Sequence, residues 1–450
     1  MPLLNVVLAA LELIVKIKNF FVIGISLLAT TQIFPQQKLT LKEAISIALK
    51  NNYDILLAKN NAAISNNNYS LGNAGFLPKI DVTGSQTKTV TDTKQEYSDG
   101  RTVDKTGAAS KSTNAGVALT WTIFDGLKMF TTYSKLREYK ELGDLKLRGQ
   151  IETSVSDVIQ TYYNIVQQKY NYRVAKESIS ISEERAKLIE EKLSVGSASN
   201  LDLLRAKVDL NSDKSNMLNQ EVTLNTLKVT FNGLLARNVA IDFDVDETID
   251  IKEGLSFTLL KEAAFKNNVD LLQSQKNINI SSYDAGISKS DFFPRISLNS
   301  GYNYLNSAAD ANLVRANKSY GYNYGLGFSW NIFNGFNTQL AYQNALITLD
   351  KNEIIFQATK IEIESSLLIS FKNYEKNLEI LNLEEENVSV AKENLDLAFE
   401  ELKLGTFSPL EFREVQKSYT AAQGRLSTAR YTAKMSEKDL LKQSGELLQN

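Results

Sequence analysis

The chain of 450 residues contains no cysteine and no histidine. These absences exclude a thiol nucleophile, a disulfide framework, a metal site built from cysteine and histidine, and an imidazole base. A catalytic site would have to rest on carboxylates, lysine, tyrosine or serine, and no nucleophile and base of these types stand at a recognisable spacing. The sequence therefore predicts that the protein is not an enzyme and that it needs no metal or other cofactor.

The chain also has few prolines and almost no net charge. The chain has only 5 prolines, and its 50 basic residues are balanced by 52 acidic ones. Balanced charge without a clustered basic face predicts no binding to nucleic acid. Two long segments, 126–192 and 335–401, contain no proline at all. At about 1.5 Å per residue each could form a helix about 100 Å long, which does not fit inside a compact domain.

The N-terminus has the order of a secretory signal. Lys16 and Lys18 precede the apolar run FFVIGISLLA, and small residues follow from Ala29 to Thr31. Basic residues followed by an apolar run and small residues are typical of a signal peptide. We expect residues 1–37 to be a signal with cleavage near residues 30–38, because the run is shorter than the about 20 residues of a membrane-spanning helix. An uncleaved membrane anchor and a start assigned too far upstream are the alternatives.

The rest of the sequence is a duplication. Four motifs occur twice in the same order, starting at the residues given: NNYDILLAKNN and NNVDLLQSQKN (51 and 267), FLPKI and FFPRI (76 and 292), WTIFDG and WNIFNG (121 and 330), LSVGSASNLDL and LKLGTFSPLEF (193 and 402). The first two pairs are 216 positions apart and the last two are 209 apart. One indel of 7 residues, between the proline and the tryptophan, accounts for the difference. Two copies of one structural unit are therefore predicted.

Between these motifs the apolar residues alternate with polar ones. In the second copy, apolar side chains from Tyr320 to Ile332 fall on one face, and glycine, asparagine and serine fall on the other. A partner strand carries Ile296, Leu298, Tyr302 and Tyr304. One apolar face rich in aromatics and one small, polar face are typical of a barrel strand between lipid and water. A half-buried sheet in a soluble protein is the alternative.

These patterns predict the boundaries of the repeats. The first repeat covers 38–238, with a barrel hairpin at 76–124 and long helices at 125–236; the second covers 256–450, with a hairpin at 292–333 and long helices at 334–448. An acidic connector at 239–255 joins them. We expect Thr91 to Ser112 to be an exposed loop, because its apolar residues show no periodicity. A capping box at Thr40 predicts a helix that continues toward Gly72.

The long helices show the 3-4 apolar spacing of coiled coils. Each ends at a glycine, Gly196 or Gly405, which is the residue that most easily takes the left-handed conformation that stops a helix. A second helix returns antiparallel from about Ser199 and from about Ser408. The fold is thus expected to be mainly α, with four membrane strands per chain. Four strands cannot enclose a lumen, and an open sheet edge is not tolerated in lipid, so other copies of the chain must complete the barrel.

The order of these elements, in duplicate, resembles the outer-membrane efflux protein family, whose members are TolC-like. The most specific motifs are the entries to the strands, with Pro78 and Pro294, and the exits, W-x-I-F-[DN]-G. The exit motifs contain the pairs Trp121 and Gly126, and Trp330 and Gly335. The resemblance implies a homotrimer in the outer membrane of a Gram-negative bacterium, with one shared barrel and a long α-helical tunnel in the periplasm.

The resemblance also implies a function and partners. A tunnel of this family meets a periplasmic adaptor protein and an inner-membrane transporter of the RND or ABC type, and exports small molecules such as drugs, metals or other toxic compounds. The exit duct of a type I protein secretion system is an alternative in the same class. A coiled-coil scaffold protein is an alternative in a different class.

Acidic residues near the second glycine turn are gate candidates by this resemblance. Glu411 and Glu414 match the acidic ring that narrows the periplasmic mouth of TolC-like channels, and Asp202 is the counterpart of Glu411 in the first copy. Arg205 stands where a counterpart of Glu414 would be, so a ring would differ between the copies. The alternative role of Glu411 is helix capping, because Ser408 and Glu411 have the spacing of a capping box.

The glycine turns are candidates for docking the adaptor. They comprise Val195, Gly196 and Ser197 in the first copy and Leu404, Gly405 and Thr406 in the second. Termination of the helices is their alternative role. We expect Leu203, Leu204 and Phe412 nearby to be exposed, and apolar groups exposed at a helix tip favour a binding partner.

Overall fold

The computed structural model describes residues 38–311 and 314–448, so the predicted signal at 1–37 lies outside the described residues. The first repeat contains these elements: α1 (Leu41–Asn51), α2 (Tyr53–Asn68), α3 (Leu71–Ala74), β1 (Lys79–Glu96), β2 (Thr102–Phe124), α4 (Lys128–Ser194) and α5 (Asn200–Leu234). The second contains α6 (Phe257–Asn267), α7 (Val269–Ser290), β3 (Arg295–Ala309), β4 (Ala316–Ser329), α8 (Asn337–Leu404) and α9 (Pro409–Gln443). The predicted fold class, mainly helical with four strands, is confirmed.

The duplication in sequence is a duplication in structure. Helices α1 and α6 begin 216 residues apart, at Leu41 and Phe257. The long helices α4 and α8 begin 209 residues apart, at Lys128 and Asn337. The number of positions between equivalent residues of the two repeats thus changes within the hairpins, between the entry to the hairpin and the long helix that follows it. The motifs predict this change. A residue of one repeat therefore has a defined counterpart in the other.

The first helix does not continue from Thr40 toward Gly72, contrary to the prediction. It breaks at Asn52, whose side chain accepts hydrogen bonds from the backbone N–H groups of Asp54 and Ile55 (3.0 and 3.2 Å) and so caps α2. The Asn52 side chain also donates to the carbonyl of Leu234 at the end of α5 (3.0 Å). Asn268 repeats this arrangement, since it caps α7 and donates to the carbonyl of Gln443 (3.0 Å). One asparagine thus starts a helix and fixes the end of another.

The four strands form one antiparallel sheet in the order β1-β2-β3-β4. The predicted apolar face is confirmed by the register, in which Leu298 lies opposite Leu326 and Tyr302 opposite Tyr322. The same row continues across the sheet from Tyr302 to Val117 and then to Val82. On the opposite face, small and polar residues pair, such as Gly301 with Asn323. The alternation ends with β4 at Ser329, so Trp330 and Ile332 lie beyond the strand.

The prediction of a loop from Thr91 to Ser112 was wrong. Strand β1 runs to Glu96 and β2 starts at Thr102, which leaves a short turn between them. The polar strands pair through their backbones, which needs no apolar periodicity. A bulge near Thr91 interrupts the ladder, where Gly107 has φ of 69° and donates its N–H to Asp92 (2.7 Å). The extra length of the first hairpin therefore lies in its strands.

The predicted entry and exit motifs of the hairpins contact each other. Pro78 and Pro294 immediately precede β1 and β3. The indole N–H of Trp121 donates to the carbonyl of Phe76 (2.9 Å), and Trp330 donates in the same way to Phe292 (3.1 Å). Each tryptophan therefore closes the base of its hairpin where the strands meet the helices.

The largest apolar core lies where α1, α4 and α5 meet the connector. Phe231 of α5 and Leu235, which follows its last residue, pack there with Val158 of α4 and with Phe243 and Val245 of the connector, and all are almost fully buried. The connector is thus held against the flank of the helices. Within residues 38–311 and 314–448, no helix is long and apolar enough to cross a membrane.

We predict that Asn52→Ala destabilises the protein by about 2 kcal/mol, because it removes a helix cap and leaves the partly buried carbonyl of Leu234 without its donor. The midpoint of urea denaturation, followed by circular dichroism at 222 nm, measures this change. Asn61→Ala, at an exposed position of the same helix, is the matched control and should change stability by less than about 0.5 kcal/mol. Equal midpoints for the two variants would contradict the role of Asn52.

Candidate functional site

The two helical tips opposite the sheet have the same turn. Gly196 and Gly405 both take left-handed φ values, 79° and 86°. The N–H of Ser197 bonds to the carbonyl of Lys192 (2.8 Å), and the N–H of Thr406 bonds to that of Glu401 (3.1 Å). These are the six-residue bonds of a Schellman motif, which satisfies the last carbonyls of a helix. The turns are therefore fixed by their own backbones, and the hydroxyls of Ser197 and Thr406 donate to the same carbonyls (3.0 and 3.1 Å).

Apolar side chains are exposed at both tips. Val195 and Leu404 occupy equivalent positions and are 77% and 79% exposed. Leu201 and Leu410, also equivalent, are exposed just after the turns, and sequence reasoning missed them. In the sequence each could have been found as an apolar residue at the second position of a predicted helix, directly before the acidic residue of a capping box. Each tip thus presents a pair of exposed apolar side chains.

The expectation that three further apolar residues are exposed holds only for Leu204. Phe412 is fully buried, because its ring packs against Phe399 of α8 with centroids 5.5 Å apart. Leu203 is buried with Ile189 and Ala206. Both residues belong to the inner faces of their coiled coils.

Two of the gate candidates lie in capping boxes. The carboxylate of Asp202 accepts from the hydroxyl of Ser199 (2.6 Å), and Glu411 accepts from the backbone N–H of Ser408 (2.9 Å). Hydrogen bonds from the side chain and then the backbone of each serine lower the pKa of Asp202 and of Glu411 below their usual values. Both groups therefore stay ionised at neutral pH while they cap their helices.

The third candidate, Glu414, has no such role. Its exposed carboxylate pairs with Lys417 one turn later (2.9 Å). An exposed pair of this kind contributes little to stability. Glu414 and Glu411 lie three positions apart and so on one side of α9. Glu414 is therefore an exposed carboxylate that caps no helix.

A buried polar network behind the tips was missed by sequence reasoning. The guanidinium of Arg413 donates two hydrogen bonds to Asp213 (2.8 and 2.9 Å), and Arg185 donates to Asp209 (2.6 Å). Ser182 donates to Asp213 as well (2.5 Å). We name Ser182, Arg185, Asp209, Asp213, Arg413 and Gln416 the tip network. It ties α9 of the second repeat to α4 and α5 of the first.

The tip network contains one ion pair within the first repeat, between Arg185 and Asp209, and one between the repeats, between Arg413 and Asp213. Burial lowers the pKa of Arg185 from its usual value, and the bond with Asp209 offsets part of this effect. Removal of one member of a buried ion pair typically costs about 3–5 kcal/mol, because the other charge is left unpaired. Across the described residues no cluster of acidic side chains could hold a metal ion. The two tips therefore present charged groups and exposed apolar side chains.

Comparison with known proteins agrees with this architecture. A family model described as outer membrane efflux protein matches residues 44–234 and 260–446. The outer membrane channel CmeC of Campylobacter jejuni has a TM-score of 0.73 at 20% identity, over 90% of this chain and 86% of that one. The outer membrane protein VceC of Vibrio cholerae has a TM-score of 0.72 at 12% identity, over 90% of this chain and 96% of that one.

A membrane protein from Pseudomonas aeruginosa is similar too, with a TM-score of 0.75 at 14% identity over 91% of both chains. Among curated protein sequences, none matches this chain significantly. The structural likeness establishes the shared fold, and the family model spans most of both repeats, which decides against a coiled-coil scaffold. The chain belongs to the outer membrane efflux protein family.

Proposed function

We propose that this chain is one protomer of a homotrimeric channel that exports small molecules, such as drugs, metals or other toxic compounds, from a tripartite pump. By its family it is an outer-membrane efflux channel with a large periplasmic part. One observation carries the proposal: a sheet with an exposed apolar face is attached to helices of 67 and 68 residues. At about 1.5 Å per residue such helices extend about 100 Å from the sheet.

The sheet supports assembly with further copies. The aromatic face carries Tyr320, Tyr322 and Tyr324, all more than two-thirds exposed in the protomer. Lipid would cover such a face, whereas the opposite face of glycine, asparagine and serine suits water. Strands β1 and β4 are the edges of the sheet. Three protomers would close these edges into one barrel of twelve strands, which encloses a lumen.

The tips support contact with a periplasmic adaptor, which would join the channel to an inner-membrane transporter of the RND or ABC type. Val195 and Leu201 are exposed apolar side chains at one turn, and Leu404 and Leu410 are their counterparts at the other; the backbone bonds of both turns form without a partner. Exposed apolar groups clustered at the end of a long helix favour protein contact. The turn residues Gly196, Ser197, Gly405 and Thr406 hold these side chains in position.

The direct test of the proposed function is conductance together with efflux. Detergent-purified protein added to a planar lipid bilayer should produce discrete channel openings. Expression of the chain with its pump in a strain without an endogenous channel of this kind should restore resistance to an exported compound. A protein that inserts into bilayers without conductance, and restores no resistance, would contradict the proposal.

We predict that Leu404→Asp lowers efflux at least tenfold and leaves conductance in bilayers unchanged, because it places charge on the docking surface but preserves the glycine turn. The minimum inhibitory concentration of an exported compound measures efflux. Ile369→Asp is the matched control, since Ile369 lies on the same helix, is 62% exposed and is far from the tip. If both variants keep full efflux, the tip is not the docking surface.

We predict that Glu411→Gln combined with Glu414→Gln reduces cation selectivity and weakens block by divalent cations. On a threefold axis these residues would bring six carboxylates together at the periplasmic mouth, where crowded like charges attract cations. Glutamine at position 411 can still complete the capping box, so the helix should form normally. Reversal potentials in a salt gradient measure selectivity. Unchanged reversal potentials would reassign Glu411 to capping and Glu414 to surface solvation.

A further inference from the structure

The apolar face of the sheet changes in character along the strands. We call it the outward face, and we call the residues that lie opposite one another across the four strands a row. From the row of Ile296 to the row of Tyr304, the paired residues that the structure describes on this face are aromatic, aliphatic or small, and none is charged. The next two rows, toward the hairpin turns, carry three lysines.

These lysines lie among uncharged neighbours. Lys318 belongs to the row of Asn306, and Lys88 and Lys111 belong to the row of Ala308. We name the three lysines the lysine cluster. The other outward residues of the two rows are Gln86, Thr113, Asn306, Ala308 and Ala316. All three lysines are exposed, and within residues 38–311 and 314–448 none of them forms an ion pair.

Two of the lysines are directly opposed. Lys88 on β1 and Lys111 on β2 are partners in the ladder. Side chains in such positions start about 5 Å apart, and like charges there destabilise a sheet. Lysine can protect the open edge of a sheet, but Lys111 lies on β2, which is paired on both sides. Beyond the bulge, by contrast, Lys94 of β1 lies opposite Asp104. The opposed lysines therefore indicate an anion that is not part of the chain.

The cluster lies at the height of lipid headgroups. The row of Ala308 is 12 residues (308 − 296) beyond the row of Ile296. At about 3.4 Å per residue this is about 40 Å along the strand, and a strand tilt of about 40° leaves about 30 Å along the membrane normal. The apolar band of a membrane barrel is about 25 Å tall. The uncharged rows therefore span the hydrocarbon, and the cluster lies just beyond it.

The cluster is continuous with the aromatic part of the lipid-facing surface. Tyr304 and Tyr320 are partners in the last row before the cluster, and tyrosine is typical of the membrane interface. The ammonium group of Lys318 lies 5.9 Å from the centroid of the Tyr304 ring. The hairpin turns lie at the opposite end of the strands from the helices, which are periplasmic in this family. The nearby headgroups are therefore those of the outer leaflet.

We propose that the lysine cluster binds the phosphate group of an anionic lipid in the outer leaflet. A phosphate between Lys88 and Lys111 accepts hydrogen bonds from both ammonium groups and removes their mutual repulsion. Ala308 and Ala316, which follow in the same row, have short side chains and leave room for the rest of the headgroup toward Lys318. The inference rests on the proposed barrel and adds a ligand of its lipid-facing surface.

The double variant Lys88→Gln with Lys111→Gln tests the site, because it removes both charges and keeps polar side chains. The full channel is purified in detergent and titrated with lipid A, a glycolipid that carries two phosphate groups, or with its dephosphorylated form. Native mass spectrometry counts the lipids bound to each assembly. The unmodified protein should bind the phosphorylated lipid at least tenfold more tightly than the variant does. Neither protein should retain the dephosphorylated lipid.

Two matched variants control for charge and for folding. Lys94→Gln with Lys105→Gln removes the same charge from the same hairpin and should bind lipid like the unmodified protein. Lys88→Arg with Lys111→Arg keeps the charges and should also retain binding. The glutamine variant removes a repulsion within the sheet, so the temperature at which its oligomer dissociates in lipid-free detergent should not fall.

Equal affinity of the unmodified protein and the glutamine variant for the phosphorylated lipid would overturn the site. Equal binding of the two lipid forms by the unmodified protein, or loss of binding in the arginine variant, would overturn it too. Conductance in a phosphatidylcholine bilayer separates the two proposals. A conducting channel that does not distinguish the two lipid forms contradicts only the lipid site, and a protein that distinguishes them without conducting contradicts only the channel.

Discussion

The backbone groups along the two edges of the sheet impose the main constraint on this protein. Strands β1 and β4 each pair with a neighbouring strand on one side only. The apolar face of the sheet suits lipid, where no water is present to bond the backbone N–H and C=O groups on the unpaired side. The chain cannot complete this sheet by itself, because each repeat supplies one hairpin. Further copies must bring the missing strands. The long helices follow the hairpins, whose bases are closed by the tryptophan hydrogen bonds. These helices then have to form a ring as well.

The two repeats differ in chemistry behind the helical tips. Inside the protomer the tip network pairs Arg413 with Asp213 and Arg185 with Asp209. The counterparts of these four residues in the other repeat are Leu204, Ala422, Asn394 and Ser418, none of which is charged. The ion pair between Arg413 and Asp213 therefore joins the two repeats in one place only, and the duplication does not repeat it.

Sequence patterns predicted what depends on local rules. The glycine turns, the capping boxes and the two faces of the sheet each follow from residue type and spacing. The break at Asn52 was missed because the helical pattern continues on both sides of it, and only the side chain's capping bonds end α1. The polar parts of β1 and β2 were missed because backbone pairing leaves no trace in apolar periodicity. The tip network was missed because charged residues on a long helix look solvated until a third helix covers them.

The mass of the assembly in detergent tests the central claim most directly, namely that the protomer is incomplete alone. Native mass spectrometry of the purified protein, with detergent removed in the gas phase, gives the number of chains. The account predicts one dominant species with three times the mass of the mature chain. A stable single chain in the same detergent, or a species that dissociates to single chains without loss of the sheet, would contradict it.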